Sequence, residues 1–427
     1  MKKLVIKGGR KLNGTVVISG SKNAALPILA ASILLNGETT LTNVPNLLDV
    51  ITMLRVLRTL GIRAEYYDGG KVKIWNQNSI KHVAPYELVT KMRASFFVIG
   101  PILARTGLAK IPLPGGCAIG SRPVNIHIKG LEQLGATVRM EHGFVIVSAN
   151  KLQGKRVYLD FPSVGATETM LMAATLASGK TIIENVAREP EIVDLANFLN
   201  QAGAKISGAG SEVIEIEGVD ALHAIEYEVI PDRVEAGTFM LAAAITGGDV
   251  EVNKVIPTHV EALIRKLQDA GLKMQIEENR IRISSSGRLT AVDVRTLPYP
   301  GFPTDLQPQM AALLAVSRNT SVITETIFEN RFMHVPELNR MGADIKIEGS
   351  SLIINGVEKL SGAPVRVSDL RAGAALVLAA LVAEGETLIE DQDHHLSRGY
   401  ENLVEKIKAL GGDVVVPNPI SALFNKA

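Results

Sequence analysis

The stretch Ser21-Lys-Asn-Ala-Ala-Leu-Pro-Ile-Leu-Ala-Ala-Ser-Ile-Leu-Leu-Asn-Gly37, followed by Thr39 to Thr42 and by a second helical pattern closing at Thr59-Leu-Gly61, decides the fold of this 427-residue chain. Ala24 to Leu35 is apolar on every face, so a helix there has no side suited to water and must be buried. The same unit is legible six times: an apolar, Ala-rich helix, a Gly-bearing turn and short strand, an amphipathic helix ending at Gly, then another strand. The later apolar helices begin near Met92, Ala166, Arg233, Asp305 and Leu370. The closing glycines Gly61, Gly135, Gly203, Gly271, Gly342 and Gly411 recur roughly every 70 residues, a longer period than the common solenoid repeats. Each follows Leu, Ala or Met and suits a left-handed position just past a helix end.

The second helix of each unit has a different character. Val260, Leu263, Ile264 and Leu267 form one stripe, while Glu261, Arg265, Lys266 and Asp269 face away. That is a surface helix resting on something, whereas Ala372 to Ala383 repeats the all-apolar pattern of a buried one. Strand pairs such as Val72–Ile74 and Ile281–Ile283 follow hairpin signals like Asp68-Gly-Gly70, which argues against a doubly wound sheet. The expected class is α/β, with three units per domain packed around buried helices. A chain of this length exceeds one ordinary core, and the change of domain is expected near Val229-Ile-Pro-Asp232.

Composition narrows the function. Hydrophobic residues make up 46% and aromatics 4%, so the core is built from Ala, Val, Ile and Leu. A net charge of +1 excludes a broad electrostatic footprint for nucleic acid or an anionic membrane, and any anion site must be a local basic cluster. One cysteine excludes an internal disulfide framework and suits a reducing compartment. The N-terminus Met1-Lys-Lys-Leu-Val-Ile-Lys7 lacks the apolar region of a signal peptide. Ala372 to Ala383 falls short of the about 18–20 residues that span a bilayer. A cytoplasmic monomer is expected. The chain carries no Walker A sequence, no His-Glu-x-x-His and no cysteine pair, so neither metal nor cofactor is expected.

That cysteine, Cys117, lies in Leu113-Pro-Gly-Gly-Cys-Ala-Ile-Gly-Ser-Arg-Pro123, a run that can only be a loop. With Arg122 five residues on, it has the setting that lowers a thiol pKa, although a surface cysteine without a role fits the local sequence too. Cations also stand where inner helices begin: Lys22, Arg93, Arg233 and Arg371. A helix N-terminus disfavours a cation by a few tenths to about 1 kcal/mol. Long side chains can reach water at little cost. Alternatively, several helix starts serve one anion, with basic side chains added to their backbone N–H groups. Asp305, in Phe302-Pro-Thr-Asp305-Leu-Gln, reads either as an ordinary helix cap or as a base in a cationic cleft.

Ser21-Lys-Asn-Ala-Ala25, Lys91-Met-Arg-Ala-Ser95, the Cys117 loop, Ser163-Val-Gly-Ala-Thr167, Pro303-Thr-Asp305, Glu329-Asn-Arg-Phe-Met-His-Val-Pro336, Asp369-Leu-Arg-Ala372 and Arg398-Gly-Tyr-Glu401 together resemble the UDP-N-acetylglucosamine 1-carboxyvinyltransferases of the enolpyruvyl transferase family. The matches run in order from residue 21 to 401. The resemblance implies two inside-out α/β barrel domains, each of three βαβαββ repeats. Residues 22–230 would form the N-terminal domain with the Cys117 loop, and residues 1–21 plus 231–427 the C-terminal domain with Asp305 and the arginine clamp.

It also implies transfer of the enolpyruvyl group of phosphoenolpyruvate to the 3′-hydroxyl of UDP-N-acetylglucosamine, releasing phosphate at the first committed step of peptidoglycan precursor synthesis. Cys117 would be the general acid and site of a covalent phospholactoyl adduct, and Asp305 the base, with Asp369 relaying its proton. Lys22, Arg122 and Arg398 would hold the phosphate, with Lys22 and Arg398 also counted as catalytic. Arg331 and Arg371 would hold the carboxylate, with Asn23 beside the reacting carbon. Arg93, Arg122, Pro123, Val124, Asn125, Ile126, Ser163, Val164, Gly165, Asp305 and Ile327 would bind the nucleotide sugar. One departure stands out: the Lys often found two residues before Ser-Val-Gly is Phe161 here, so a nucleotide contact would be lost or made differently. The alternatives are a shikimate-pathway enolpyruvyl transferase, which has no need of the Pro-Gly-Gly-Cys loop, and a non-catalytic paralogue that binds nucleotide sugar, which would not need Cys117, Asp305 or the clamp.

Overall fold

Helices that are apolar all round need partners on every side, and in the computed structural model, which describes residues 2–76, 80–90, 92–113, 124–285 and 287–417, small sheets and amphipathic helices supply them. The chain divides into two units, one built from residues up to Ser19 together with those from Pro231 on, the other running from Gly20 to Ile230.

In the first unit the inner helices Arg233–Thr246, Gln307–Ala315 and Leu370–Val382 touch one another and are buried along almost their whole length. Three four-stranded sheets accompany them. In one, Asp249–Asn253 pairs antiparallel with Arg280–Ser284, with Asp249 opposite Ser284, and parallel with Asn13–Val17, with Asp249 opposite Asn13. Lys273–Ile276 closes a hairpin on the far side of Arg280–Ser284. Ile281 and Ile283 alternate inward while Arg280, Arg282 and Ser284 face water, the period-two pattern of a half-buried strand. The outer helix Glu261–Asp269 covers the unit through Leu263, Ile264 and Leu267, each contributing roughly 1.5–3 kcal/mol on burial. The strand Lys3–Lys7 pairs with Glu386–Glu390 and with Asp413–Val415.

The second unit repeats the plan around Lys22–Ala31, Ile99–Thr106 and Val164–Ala174, with sheets of five, four and three strands. The six expected helix-ending glycines all take positive φ, between 90° and 107°, as a left-handed stop requires. Among the described residues each sheet keeps open edges and none closes into a β-barrel: helices lie inside and sheets outside. No helix of the described residues is long and apolar enough to cross a membrane.

Two inner helices depart from their expected starts. The one placed near Met92 is a 3₁₀ segment, Arg93–Val98, before the α-helix Ile99–Thr106, and the one placed at Asp305 opens with the 3₁₀ turn Thr304–Leu306 before Gln307–Ala315. Pro101 and Pro308 fall in the first turn of these two α-helices, where a missing N–H costs no helical bond, whereas Pro27 lies inside Lys22–Ala31, which is α-helical from its first residue. The tighter turn is what carries Arg93 and Asp305.

Candidate active site

In the unit holding residues 231–427, Asp305 sits in the Thr304–Leu306 turn with its side chain about a quarter exposed, and it is not a helix cap. Its Oδ1 accepts from Arg331 Nη2 at 2.8 Å and its Oδ2 from Arg371 Nη2 at 2.9 Å. Both guanidiniums are buried, at 4% and 2% exposure. Arg371 stands at the start of Leu370–Val382, and its cost there is offset locally. Asp369 Oδ1 accepts from the Arg371 and Ala372 N–H groups at 2.9 and 3.0 Å, and Tyr400 lies under the guanidinium with its ring centroid 5.5 Å away. Burial works against the Arg371 charge, but Asp305, followed by Tyr400 and Asp232, outweighs it and raises the pKa above its usual value.

Arg398 ends the short turn Leu396–Arg398. Asp391, fully buried, accepts from the His395 and Leu396 N–H groups at 2.7 and 2.9 Å and so fixes that turn. Ile327 donates its N–H to Glu325 Oε1 at 2.8 Å. His334, next to this cluster, is held neutral: burial pushes its pKa down to about 4, Asp369 opposing and Arg331 reinforcing the shift.

In the other unit Lys22 opens Lys22–Ala31, capped by Ser21, and its Nζ lies 3.5 Å from Asp49 Oδ2 with both side chains buried. Asn23 follows it, half-buried. Arg93, Asn125 and Ile126, and Ser163, Val164 and Gly165 stand at the starts of three helical elements, with Val124 directly before the second. His127 ties these three together. Its Nδ1 bonds Thr169 Oγ1 at 2.9 Å, its ring meets Phe96 edge-on at 5.4 Å, and a Cβ at Gly165 would lie 3.1 Å from the ring and 3.0 Å from Phe97. Glycine at 165 is therefore what lets the Ser163 helix start approach the other two. Cys117, Arg122 and Pro123 lie outside the described residues.

The structure thus brings Asp305, Arg331, Arg371 and Asp369 into one cluster of the first unit, and the Arg93, Asn125 and Ser163 segments together in the second. Sequence reading missed Thr304, Glu325, Asp391 and His334 around the first and Asp49 beside Lys22. Thr304 and His334 stand inside the quoted Pro303-Thr-Asp305 and Glu329 to Pro336 segments without a role of their own, Glu325, Asp391 and Asp49 belong to no motif, and each is recognised only through the partner that folding brings to it. Chemically, a carboxylate between two guanidiniums that cannot deprotonate offers a proton acceptor beside a fixed anion site.

Comparison with known proteins bears on which reaction this is. Residues 6–407 match the family model described as EPSP synthase (3-phosphoshikimate 1-carboxyvinyltransferase). A protein of Carboxydothermus hydrogenoformans named UDP-N-acetylglucosamine 1-carboxyvinyltransferase 2 is 57% identical over 97% of this chain and 99% of its own length. One from Caldanaerobacter subterraneus subsp. tengcongensis, named UDP-N-acetylglucosamine 1-carboxyvinyltransferase 1, is 56% identical over 96% and 99%. Among solved structures, the enolpyruvyl transferase NikO from Streptomyces tendae superposes with a TM-score of 0.87 at 25% identity, covering 97% of this chain and all of that one. An EPSP synthase from Acinetobacter baumannii reaches a TM-score of 0.75 at 21% identity over 98% and 100%, a likeness of fold alone.

Proposed function

The chain belongs to the enolpyruvyl transferase family, and from that premise we propose that it transfers the enolpyruvyl group of phosphoenolpyruvate to the 3′-hydroxyl of UDP-N-acetylglucosamine, releasing phosphate. It is a transferase, and the product feeds peptidoglycan synthesis.

In this reading Asp305 takes the proton of the 3′-hydroxyl as its oxygen attacks C2 of phosphoenolpyruvate, and the Cys117 thiol gives its proton to C3. Elimination runs the same groups backwards: the thiolate recovers a proton from C3, the C2–O bond to phosphate breaks, and the double bond returns. Asp369 assists the proton on Asp305. Arg331 and Arg371 hold the carboxylate of phosphoenolpyruvate, while Lys22, Arg122 and Arg398 take the phosphate and the charge that grows as it leaves. Asn23 lies by the reacting carbon. Arg93, Arg122, Pro123 to Ile126, Ser163 to Gly165, Asp305 and Ile327 receive the nucleotide sugar. The reaction draws on residues of two domains, 22–230 and 1–21 plus 231–427, in a monomer working in the cytoplasm without cofactor or metal.

The observation that carries the reading is the Asp305 carboxylate held by two buried arginines, Arg371 at the opening of an inner helix and Arg331 in the turn before Val335–Arg340. The Pro114-Gly-Gly-Cys117 sequence favours this substrate pair over shikimate 3-phosphate. A coupled phosphate-release assay with phosphoenolpyruvate tests it. Release with UDP-N-acetylglucosamine and none with shikimate 3-phosphate is expected, and the converse would overturn the assignment.

A further inference from the structure

We propose that Glu325 is a positioning residue for this reaction: a buried carboxylate that sets the orientation of Arg331, and through it of Asp305, by way of the Thr304 hydroxyl. The proposal rests on the reading that Asp305 and Arg331 act on substrate.

Glu325 follows the strand Thr320–Thr324 and is 3% exposed. A buried carboxylate is costly unless its oxygens are satisfied, and here four donors converge on it. Oε1 accepts from Thr296 Oγ1 at 2.8 Å, from the Ile327 N–H at 2.8 Å and from the Phe328 N–H at 3.2 Å, and Oε2 accepts from Thr304 Oγ1 at 2.9 Å. Each of these is a donor, so the site calls for a side chain that only accepts, which an ionised Glu is and Gln is not.

Thr304 translates that demand into the cluster. A hydroxyl has one proton, and Thr304 commits it to Glu325, which leaves its lone pairs to face Arg331 Nη1 at 3.0 Å. The other terminal nitrogen of Arg331 holds Asp305 at 2.8 Å, while Nε has no hydrogen-bond partner among the described residues. Arg331 is therefore aimed by its two ends, Thr304 on one and Asp305 on the other. Glu325 also anchors the Ile327 backbone, so one side chain fixes the base, its arginine and the segment assigned to the sugar. Nothing in Glu325 touches the reacting atoms: it acts through others.

In Glu325→Gln the amide nitrogen would turn an N–H towards Thr304 Oγ1, whose own proton then loses its acceptor and competes with Arg331 Nη1. Thr304→Val removes the same link from the other side at nearly equal volume. Each is expected to lower kcat roughly 10- to 100-fold, the scale for misplacing a reacting group by a fraction of an ångström to an ångström, with a smaller change in the KM for UDP-N-acetylglucosamine. The double variant should be no slower than the worse single one, because both break one relay. Thr304→Ser, which keeps the hydroxyl, should recover most of the rate. Multiplicative losses in the double variant, a Ser variant as slow as the Val one, or a fall in melting temperature with kcat unchanged would each overturn the proposal. A second cycle does not depend on turnover: Glu325→Gln and Asp305→Asn, read by urea unfolding, should be non-additive, and additive midpoints would refute the relay. A parent chain inert towards both substrates, with this second cycle still coupled, would instead sink the functional reading and leave the relay standing.

Discussion

Replacing Asp305 by Asn should both stop turnover and change what the empty chain binds. The substitution leaves two guanidiniums, 4% and 3% exposed at the side chain, without the carboxylate that bridges them. Removing one partner of a buried ion pair costs about 3–5 kcal/mol. Two features reduce that figure: the Asn carbonyl still accepts one hydrogen bond, and the Asp305 side chain is 27% exposed, so water already screens part of the charge. A loss of about 2–3 kcal/mol remains, equivalent to roughly 5–10 °C in the melting temperature of a domain of this size. Inorganic phosphate should restore much of it, since an anion bound at a hundred times its Kd adds about 2.7 kcal/mol. In the parent, Asp305 already occupies both guanidiniums and the same phosphate should add less. Scanning calorimetry of the two chains near neutral pH, with and without phosphate, reads all four states. A variant that melts with the parent, or that gains from phosphate no more than the parent does, would show that Asp305 is not the counter-charge of Arg331 and Arg371.

Cys117→Ser should abolish or severely reduce turnover while leaving the fold intact, and Cys117→Asp should retain activity, because a carboxylic acid can supply the proton that a hydroxyl cannot; phosphate release measured on both variants checks this, as does intact mass after fosfomycin, which should add one molecule to the parent and none to the Asp variant. Burial, with Glu191 and Glu189 adding to it, raises the pKa of fully buried Glu168 well above 4.5, and its Oε2 has no partner among the described residues. The folded chain thus keeps a proton the unfolded chain releases, and stability falls as pH rises past about 4.5. Glu168→Gln removes that loss, so its urea midpoint should match the parent near pH 4 and exceed it near pH 8. His334 has the opposite sign: its folded pKa is depressed to about 4, so as pH falls from 6.5 the unfolded state takes up a proton first and stability drops, by about 3 kcal/mol across the window. His334→Gln should flatten that acid limb of the urea midpoint.

The repeats were legible because their signals are local. A Gly that ends a helix and an Ala-rich run without a polar face are each decided within a few residues, which is why Gly61 through Gly411 and the Lys22, Arg233 and Leu370 helices lie where the sequence reading places them. The 3₁₀ starts at Arg93–Val98 and Thr304–Leu306 were missed, because an all-apolar stretch looks continuous and the prolines at 27, 101 and 308 do not tell the continuous helix from the broken ones. The site was half visible. Asp305 and the arginines stand in motifs, but the meeting of Asp305 with Arg371, 66 residues on, belongs to packing. Glu325 lies 21 residues from Thr304 in a plain Thr-Glu-Thr sequence, and only the fold shows that four donors need it. The cations at helix starts read as electrostatic oddities, and Asp49 and Asp305 resolve two of them.

The strands Lys3–Lys7 and Asn13–Val17 carry a consequence for how the molecule is made. Lys3–Lys7 finds its neighbours at Glu386–Glu390 and Asp413–Val415, and Asn13–Val17 its own at Asp249–Asn253. The continuous unit, Gly20 to Ile230, can acquire all its strands while the ribosome is still working. Lys3–Lys7 cannot. At roughly 5–20 residues per second, Lys3–Lys7 waits on the order of 20–80 seconds for Glu386–Glu390 to be synthesised. Through that interval Leu4 and Ile6, fully buried in the finished protein, are apolar residues on an unpaired strand, the kind of segment that seeks a wrong edge. Lys2, Lys3 and Lys7 place charge at both ends of the strand, the kind of flank that discourages such pairing.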